Sequence, residues 1–289
     1  MSATTGAFSS DDADRIDPTD ASGYNGGRLA ATVILLRDGD HGLEVWVQER
    51  VDTMRNYAGM TVFPGGGVDT RDFPPRSWDS GDLWTGPSVV SVARTMGTTK
   101  YKAHALVFAA VRELFEETGT LLAVREDGSP VTDARPYSEA RAGLVSHELS
   151  LTDVLRRHGL KVRSDLLRPW ARWVGASDAG KWFDNHSFVA VAPAGQEPDA
   201  DTTEADDANW FPPRLLLEGW RMGLVRFVIP TWAQLNELTQ FHTTAQVVEA
   251  AARADLNPVV GDPVDDRRYH EFFTSTPIDR IGFTRGPHH

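Results

Sequence analysis

The run Arg112-Glu113-Leu114-Phe115-Glu116-Glu117 holds the side chains best suited to chemistry. At roughly 100° per residue of helix, Glu117 lies about 40° from Glu113 and Glu116 about 60° to the other side, so the three carboxylates share one arc. Such a cluster calls for a cation. Neighbouring negative charges repel and weaken a helix unless something positive sits among them, and hard oxygen ligands suit Mg²⁺ or Mn²⁺. Arg112 flanks the cluster and is one turn from Glu116, which it can pair and orient without ever giving up its charge. Taken alone, R-E-x-x-E-E is also an ordinary solvated helix face. The stretch Phe63-Pro64-Gly65-Gly66-Gly67-Val68-Asp69 upstream shifts that balance. A Pro and three Gly directly after the apolar segment Met60 to Phe63 make a turn with little steric restriction, able to bring backbone carbonyls and N–H groups up to a metal or a phosphate.

Together these two stretches resemble the signature of the Nudix hydrolases, G-x5-E-x7-R-E-U-x-E-E-x-G-U with U aliphatic. Gly66 takes the leading Gly, and Arg112, Glu113, Leu114, Glu116, Glu117 and Gly119 fill the helical half. Asp72 stands where the first Glu belongs, as a candidate supporting acid, and Thr120 replaces the final aliphatic. An insertion of roughly 32 residues separates the two halves. The resemblance covers Arg28 to Leu217 and implies a Nudix-like α/β/α sandwich around a mixed β-sheet. It also implies divalent-metal-dependent hydrolysis of a diphosphate bond. Glu113, Glu116, Glu117 and the Gly65 carbonyl would then hold Mg²⁺ or Mn²⁺, Arg112 would orient the carboxylates, and Gly66 and Gly67 would meet substrate. Glu204 is the candidate for the late acid that many members bring to the site.

Within that family the chain looks most like the coenzyme A diphosphatases whose box is interrupted by an insertion. The segment from Trp46 to Gly66 matches their pattern at Arg50, Arg55, Gly59 and the closing Phe63-Pro64-Gly65-Gly66, but not at its leading L-L-T or at Val51, where the pattern has Ser or Ala. Arg50 and Arg55 suit a substrate with a diphosphate and a further ribose phosphate, since Arg pairs with phosphate in a fork-like geometry. Both could equally pair with Glu49, Asp52 or Asp69. The first-choice substrate is coenzyme A or an acyl derivative, giving phosphopantetheine and adenosine 3′,5′-bisphosphate. ADP-ribose, NADH and diadenosine polyphosphates are the alternatives, and a non-catalytic nucleotide sensor is the reading from outside enzymes. Trp78 and Trp84 in the insertion are candidates to cover an adenine, against core packing as the default.

These groups need a frame. Arg28 to Arg37 and Leu43 to Glu49 read as a β-hairpin, followed by a short strand at Met60 to Phe63. The insertion, about 73–99, is rich in Pro, Gly and Ser around a short helix at Ser88 to Thr95, and reads as a loop excursion without its own core. From Lys102 to Thr118 the apolar residues follow helical spacing, with Gly119 as C-terminal cap. Pro136 to Glu148 and Leu151 to His158 read as helices, and Trp170 to Val174 and Phe183 to Ala192 as strands. A short strand ends at Trp210-Phe211. From about 215 a helical extension follows, through Leu215 to Trp220, Pro230 to Thr239 and Thr243 to Arg253. Residues 1–27 read as a disordered tail without the basic and apolar regions of a signal peptide. Residues 28–256 read as one domain and 257–289 as irregular.

Composition narrows the partners. With 289 residues, 40% of them hydrophobic, the chain can bury a substantial core, and no apolar run reaches membrane-spanning length. The formal net charge of −12 argues against general binding to nucleic acid. A divalent ion with a few Arg can still bind phosphates locally. The absence of cysteine excludes disulfides and thiolate chemistry and is compatible with a reducing cytoplasm. The nine histidines lack ligand spacing. The expected partner is a small nucleotide diphosphate, with no nucleic acid and no membrane, and a homodimer remains open.

Overall fold

The computed structural model describes residues 20–51, 58–75, 82–177, 179–201 and 205–275. Its frame begins with the expected hairpin, β1 (Arg28–Gly39) and β2 (Gly42–Arg50), paired antiparallel from Leu36 opposite Val45 to Gly39 opposite Gly42. Two short strands then add to the hairpin: β3 (Thr61–Val62) beside β2 and β4 (Gly65–Gly67) beside β1. Three glycines have little intrinsic preference for a strand. The backbone of β1 sets the pairing, with Ala30, Ala31 and Thr32 opposite Gly67, Gly66 and Gly65.

After β5 (Trp84–Thr85) come α1 (Val89–Met96) and α2 (Lys100–Thr118). Ser88 and Thr99 cap the two helices by accepting from the N–H groups of Ser91 and Lys102. Gly119, at φ 69°, ends α2 in the left-handed conformation that glycine adopts at no steric cost. The order continues with β6 (Ala123–Arg125), α3 (Ser138–Val145), α4 (Leu151–His158), β7 (Leu160–Arg163), β8 (Arg168–Ala176), β9 (Trp182–Val191) and β10 (Ala205–Phe211). The extension supplies α5 (Pro213–Arg221), α6 (Ile229–Leu238), α7 (Thr244–Ala251), β11 (Val259–Val260) and α8 (His270–Thr274).

The main sheet runs β10-β2-β1-β9-β8-β11 and is mixed, β1 being parallel to β9 and β8 to β11. Burial on both faces explains the near-continuous apolar run of β1. Leu29, Ala31, Val33 and Leu35 point into a core with α1 and α2, while Ile34 and Leu36 point into a second core with α5, α6 and α7. A period of two thus serves two helical layers from one strand. Leu35, Leu36, Phe108, Phe115, Trp220 and Trp232 are all essentially inaccessible, and full burial of a large apolar side chain contributes roughly 1.5–3 kcal/mol.

The described residues of the 73–99 segment pack into the first of these cores and, among themselves, enclose none of their own. Phe73, Trp84, Val89, Ala93 and Met96 join α2 there, and β5 pairs with β7, itself paired with β6, in a small second sheet. Strands β6 and β7 escape sequence reading because each is too short to display a period. In β10 the sequence points only to Trp210-Phe211, yet pairing begins at Ala205 opposite Arg50. An acidic lead-in suits a sheet edge, where charge discourages pairing with another chain.

Residues 20–27 and 257–275 carry structure that their composition does not suggest. Ser22 bridges to Arg28, and the Tyr24 N–H donates to Asp184, so residues 20–27 lie against the sheet. Beyond Asn257, β11 and α8 are regular, and Tyr269 and Phe272 are buried in the second core. No helix among the described residues is long and apolar enough to cross a membrane.

Candidate active site

The two halves of the acidic signature meet in space despite the insertion between them. A Cβ on Gly66 would lie 2.5 Å from the carboxyl carbon of Glu113, so any larger residue there would displace that carboxylate. The Gly65 N–H donates to Glu117 Oε2 at 3.1 Å, and the Gly67 carbonyl accepts from Arg112 Nη2 at 3.0 Å. Strand β4 is therefore stitched to the C-terminal half of α2 at three successive residues.

Arg112 is the centre of that stitching, and its main partner is Asp72 where the sequence points to Glu116. Nε and Nη2 grip the two Asp72 oxygens at 3.0 and 2.9 Å, while Nη1 reaches Glu113 at 2.8 Å and Glu116 at 3.4 Å. A planar fork of donors suits this job, which a lysine could not do. Asp72 is only 1% exposed and is itself fixed by the Asp69 N–H, which donates to Oδ2 at 2.8 Å across a tight 3-10 turn. A shorter acid than the signature's Glu thus reaches Arg112 because the turn at Thr70–Asp72 brings its backbone close.

Charge is unbalanced here. Asp72, Glu113 and Glu116 are gathered around the guanidinium of Arg112. Burial pushes the Glu113 carboxyl up to about 7 and raises Glu116 and Asp72 as well, all against the opposing pull of Arg112. Burial also works against the charge of Arg112, but Glu113, Asp72 and Glu116 outweigh it and hold the guanidinium protonated. Glu117 faces the other way, accepting from Gln48 Nε2 at 2.6 Å. Among the described residues no three acidic or histidine side chains converge as a ready-made metal cage. The donor set nevertheless fits a hard divalent ion: clustered carboxylates short of positive charge beside a glycine turn with accessible backbone. Glu113, Glu116, Glu117 and the Gly65 carbonyl are the groups that could hold it.

These residues open onto a cleft of about 420 Å³. Arg50 lines it, held by its backbone, whose N–H donates to the Met60 carbonyl and whose carbonyl accepts from the Gly59 N–H. Arg55, Glu204 and Trp78 lie outside the described residues. Trp84 does not reach the cleft: its indole stacks on His104 in the first core and donates to the Pro87 carbonyl at 2.8 Å. Core packing therefore replaces the adenine-covering role considered for it.

Several cleft residues carry no sequence signal. Arg28 lies over the glycine strand, its guanidinium 2.9 Å from where a Gly67 Cβ would stand, yet it reads merely as the start of a strand. Gln48 is a buried polar residue inside an apolar strand, a hint that its amide has a specific partner. Trp173 and Phe183, from β8 and β9, and residues 228–231 and Gln234, at and within α6, also line the cleft.

Comparison with known proteins supports the same frame. Neither a protein-family model nor a curated protein matches the chain. Among solved structures, the chain is similar to a NUDIX hydrolase from Alicyclobacillus acidocaldarius, with a TM-score of 0.62 and 28% identity over 80% of this chain and 98% of that one. The NUDIX domain of Shewanella oneidensis NrtR complexed with ADP ribose matches at a TM-score of 0.36 and 14% identity, covering 86% of this chain and 97% of the other. A C. elegans Ap4A hydrolase binary complex also gives 0.36, at 10% identity over 77% and 98%. Likeness at those two scores is too low to carry weight. The first match, with the joined signature, makes the fold a Nudix fold.

Proposed function

We propose that this Nudix-type hydrolase is a divalent-metal-dependent diphosphatase acting on a nucleoside diphosphate linked to another group, with coenzyme A or an acyl-coenzyme A as first choice. One observation carries the reading: Gly66 abuts Glu113 while Arg112 ties Gly67, Asp72, Glu113 and Glu116 together. That assembly needs residues from both sides of the insertion and has no use as a solvated helix face.

Glu113, Glu116 and Glu117 with the Gly65 carbonyl would hold Mg²⁺ or Mn²⁺. A bound divalent ion supplies neutralisation of the diphosphate charge and a more acidic attacking water. The chain's own residues do the rest. Arg112 keeps Glu113 and Glu116 in register, Gly66 and Gly67 let the diphosphate approach the backbone, and Arg28 and Arg50 pair with phosphate oxygens at the cleft. Hydrolysis joins the water oxygen to one phosphorus, breaks the bridging P–O bond, and passes the water's proton to a neighbouring carboxylate. From coenzyme A the products are phosphopantetheine and adenosine 3′,5′-bisphosphate.

Arg50 supports the coenzyme A choice, since it sits at the cleft and occupies one of the two arginine positions that the resemblance marks. Arg55 is assigned the same phosphate-binding role. Glu204 is the proposed late acid. The absence of cysteine suits the cytoplasm. The deciding experiment incubates the purified protein with coenzyme A, acetyl-coenzyme A, ADP-ribose, NADH and diadenosine tetraphosphate, with Mg²⁺ or Mn²⁺, and identifies products by mass spectrometry. Phosphopantetheine formed faster than any other product supports the reading. Faster cleavage of ADP-ribose or a dinucleotide removes coenzyme A and keeps the diphosphatase, and no cleavage of any substrate leaves only a nucleotide-binding module.

A further inference from the structure

The cleft has a second half that the diphosphate chemistry leaves unused. Val228, Ile229 and Pro230 line it from the start of α6, with Trp173 and Phe183 from the sheet. The cleft's charged side chains, Arg28, Arg50, Arg112 and the three glutamates, all come from the hairpin and α2. An apolar wall of this kind is suited to an uncharged part of a ligand.

Thr231 and Gln234 break the apolar pattern, and Gln234 is the one with a buried, unpaired side-chain atom. It is 3% exposed, lines the cleft from one turn further along α6, and donates from Nε2 to the Pro230 carbonyl at 2.9 Å. A carbonyl can only accept, so this bond fixes which end of the amide is the nitrogen. Oε1 is then a buried acceptor with no donor. Buried polar groups are almost always paired in native proteins, because leaving one unpaired forfeits its hydration.

We infer that the C-terminal extension is the recognition wall of this cleft, with Gln234 Oε1 accepting a hydrogen bond from an N–H group on an uncharged, largely apolar part of the substrate. The inference rests on the reading of the cleft as the diphosphate site. Two parts of such a substrate share the required chemistry: the exocyclic amine of a nucleobase and the amide of a pantetheine-like arm. Gln234 acts by contact with the substrate and takes no part in bond breaking.

The test uses probes that carry no phosphate, so it is independent of catalysis. The full chain, freed of metal with EDTA, is titrated calorimetrically with adenosine, with purine riboside lacking the amine, with S-methylpantetheine, and with its ester analogue in which both amides are replaced so that no amide N–H remains. Binding of adenosine but not purine riboside assigns the wall to a nucleobase, and binding of S-methylpantetheine but not its ester assigns it to the amide arm. In either case Gln234→Met should weaken that probe about three- to tenfold, as the loss of one hydrogen bond does, while the melting temperature moves by only a few degrees. Gln234→Glu, which keeps an acceptor, should retain the preference for the N–H-bearing probe. Absence of binding by either parent probe overturns the inference, as do equal binding of parent and N–H-free probes or unchanged affinity in Gln234→Met. Should Gln234→Met fail to fold, the paired probes on the wild-type protein still decide. Donor-dependent binding in a protein that cleaves no diphosphate would sink the proposed function and leave this inference standing.

Discussion

The two walls of the cleft are made of opposite materials. One is ionic: Arg112 bonded to Asp72, Glu113 and Glu116 at 2.8 to 3.4 Å, with Arg112 and Glu117 also stitched to a glycine strand at 3.0 and 3.1 Å. Its counterpart is apolar, built from residues 228–230, Trp173 and Phe183 around a single unpartnered amide oxygen. Charge on the first wall is in excess and its geometry over-determined, as a site that positions reacting groups must be. On the second, shape and one hydrogen bond do the work, which is how a pocket selects among substrates sharing the same reactive centre. In the proposed function, catalysis and selection are divided between the α2 layer and the α6 layer of the fold.

The sharpest way to break that division is to remove charge from the ionic wall. Glu116→Gln and Glu117→Gln should each lower turnover about a thousandfold, roughly 4 kcal/mol of barrier, because an amide binds a hard cation poorly. Shape is preserved, so the melting temperature without metal should hold or rise as repulsion is relieved. Millimolar Mg²⁺ or Mn²⁺ should raise the wild-type melting temperature, as any ligand of the native state does, and raise that of the variants less. Steady-state kinetics and thermal scans check both, and wild-type turnover in both variants would remove the acids from the mechanism.

Next in size is the loss of the stitch itself. Arg112→Met should cost about 3–5 kcal/mol of stability, since it leaves Asp72 and its neighbours buried without their counter-charge. Double substitution with Asp72→Leu should recover part of that loss without recovering activity. Urea unfolding measures the stability, and equal destabilisation of single and double variants would mean that the Asp72 pairing is not what the arginine stabilises.

These walls also differ in how far they could be read from residues alone. The ionic wall announces itself because metal chemistry restricts residue type and helical spacing together. Helix α2, its Gly119 cap and the hairpin follow from periodicity for the same reason. What fails to show is long-range: that Asp72 grips Arg112 across the insertion, that three glycines pair as a strand, and that Trp84 faces inward. The apolar wall is nearly silent, because Val228, Ile229 and Pro230 look like any helix start. Gln234 is distinguished only by a burial and a missing partner that no spacing encodes.

A smaller effect concerns the border between the walls. If Arg50 pairs with a phosphate, Arg50→Ala should reduce kcat/KM for coenzyme A by about ten- to a hundredfold, equivalent to roughly 1.5–3 kcal/mol. Cleavage of ADP-ribose, which has no 3′-phosphate, should suffer less. Equal losses on both substrates would place Arg50 at the diphosphate or in the frame, and the contrast between reactive centre and selecting groups would lose one member.

The smallest expected effect is on pH dependence, and it separates the ionic wall from the core behind it. His104 is buried between Trp84 and Phe108, its Nδ1 3.0 Å from the Asp72 carbonyl, and burial lowers its pKa from 6.5 to about 4. In the unfolded chain it binds a proton near pH 6.5, whereas the folded protein resists until about 4. Between those values the unfolded state therefore holds more protons, and stability falls as pH falls. The acids of the box act in the opposite sense. Glu113, raised from 4.5 to about 7, lets the folded state hold the extra proton in that interval, so its contribution falls as pH rises. The two trends offset each other in the metal-free protein, and the difference between wild type and His104→Phe isolates the histidine. Phenylalanine keeps the stacking, so the variant should lose about 1–2 kcal/mol less than wild type on going from pH 7 to pH 5, measured by urea unfolding at both. Parallel losses would show that His104 takes up its proton in the folded state, and that the core beneath the ionic wall is open to water.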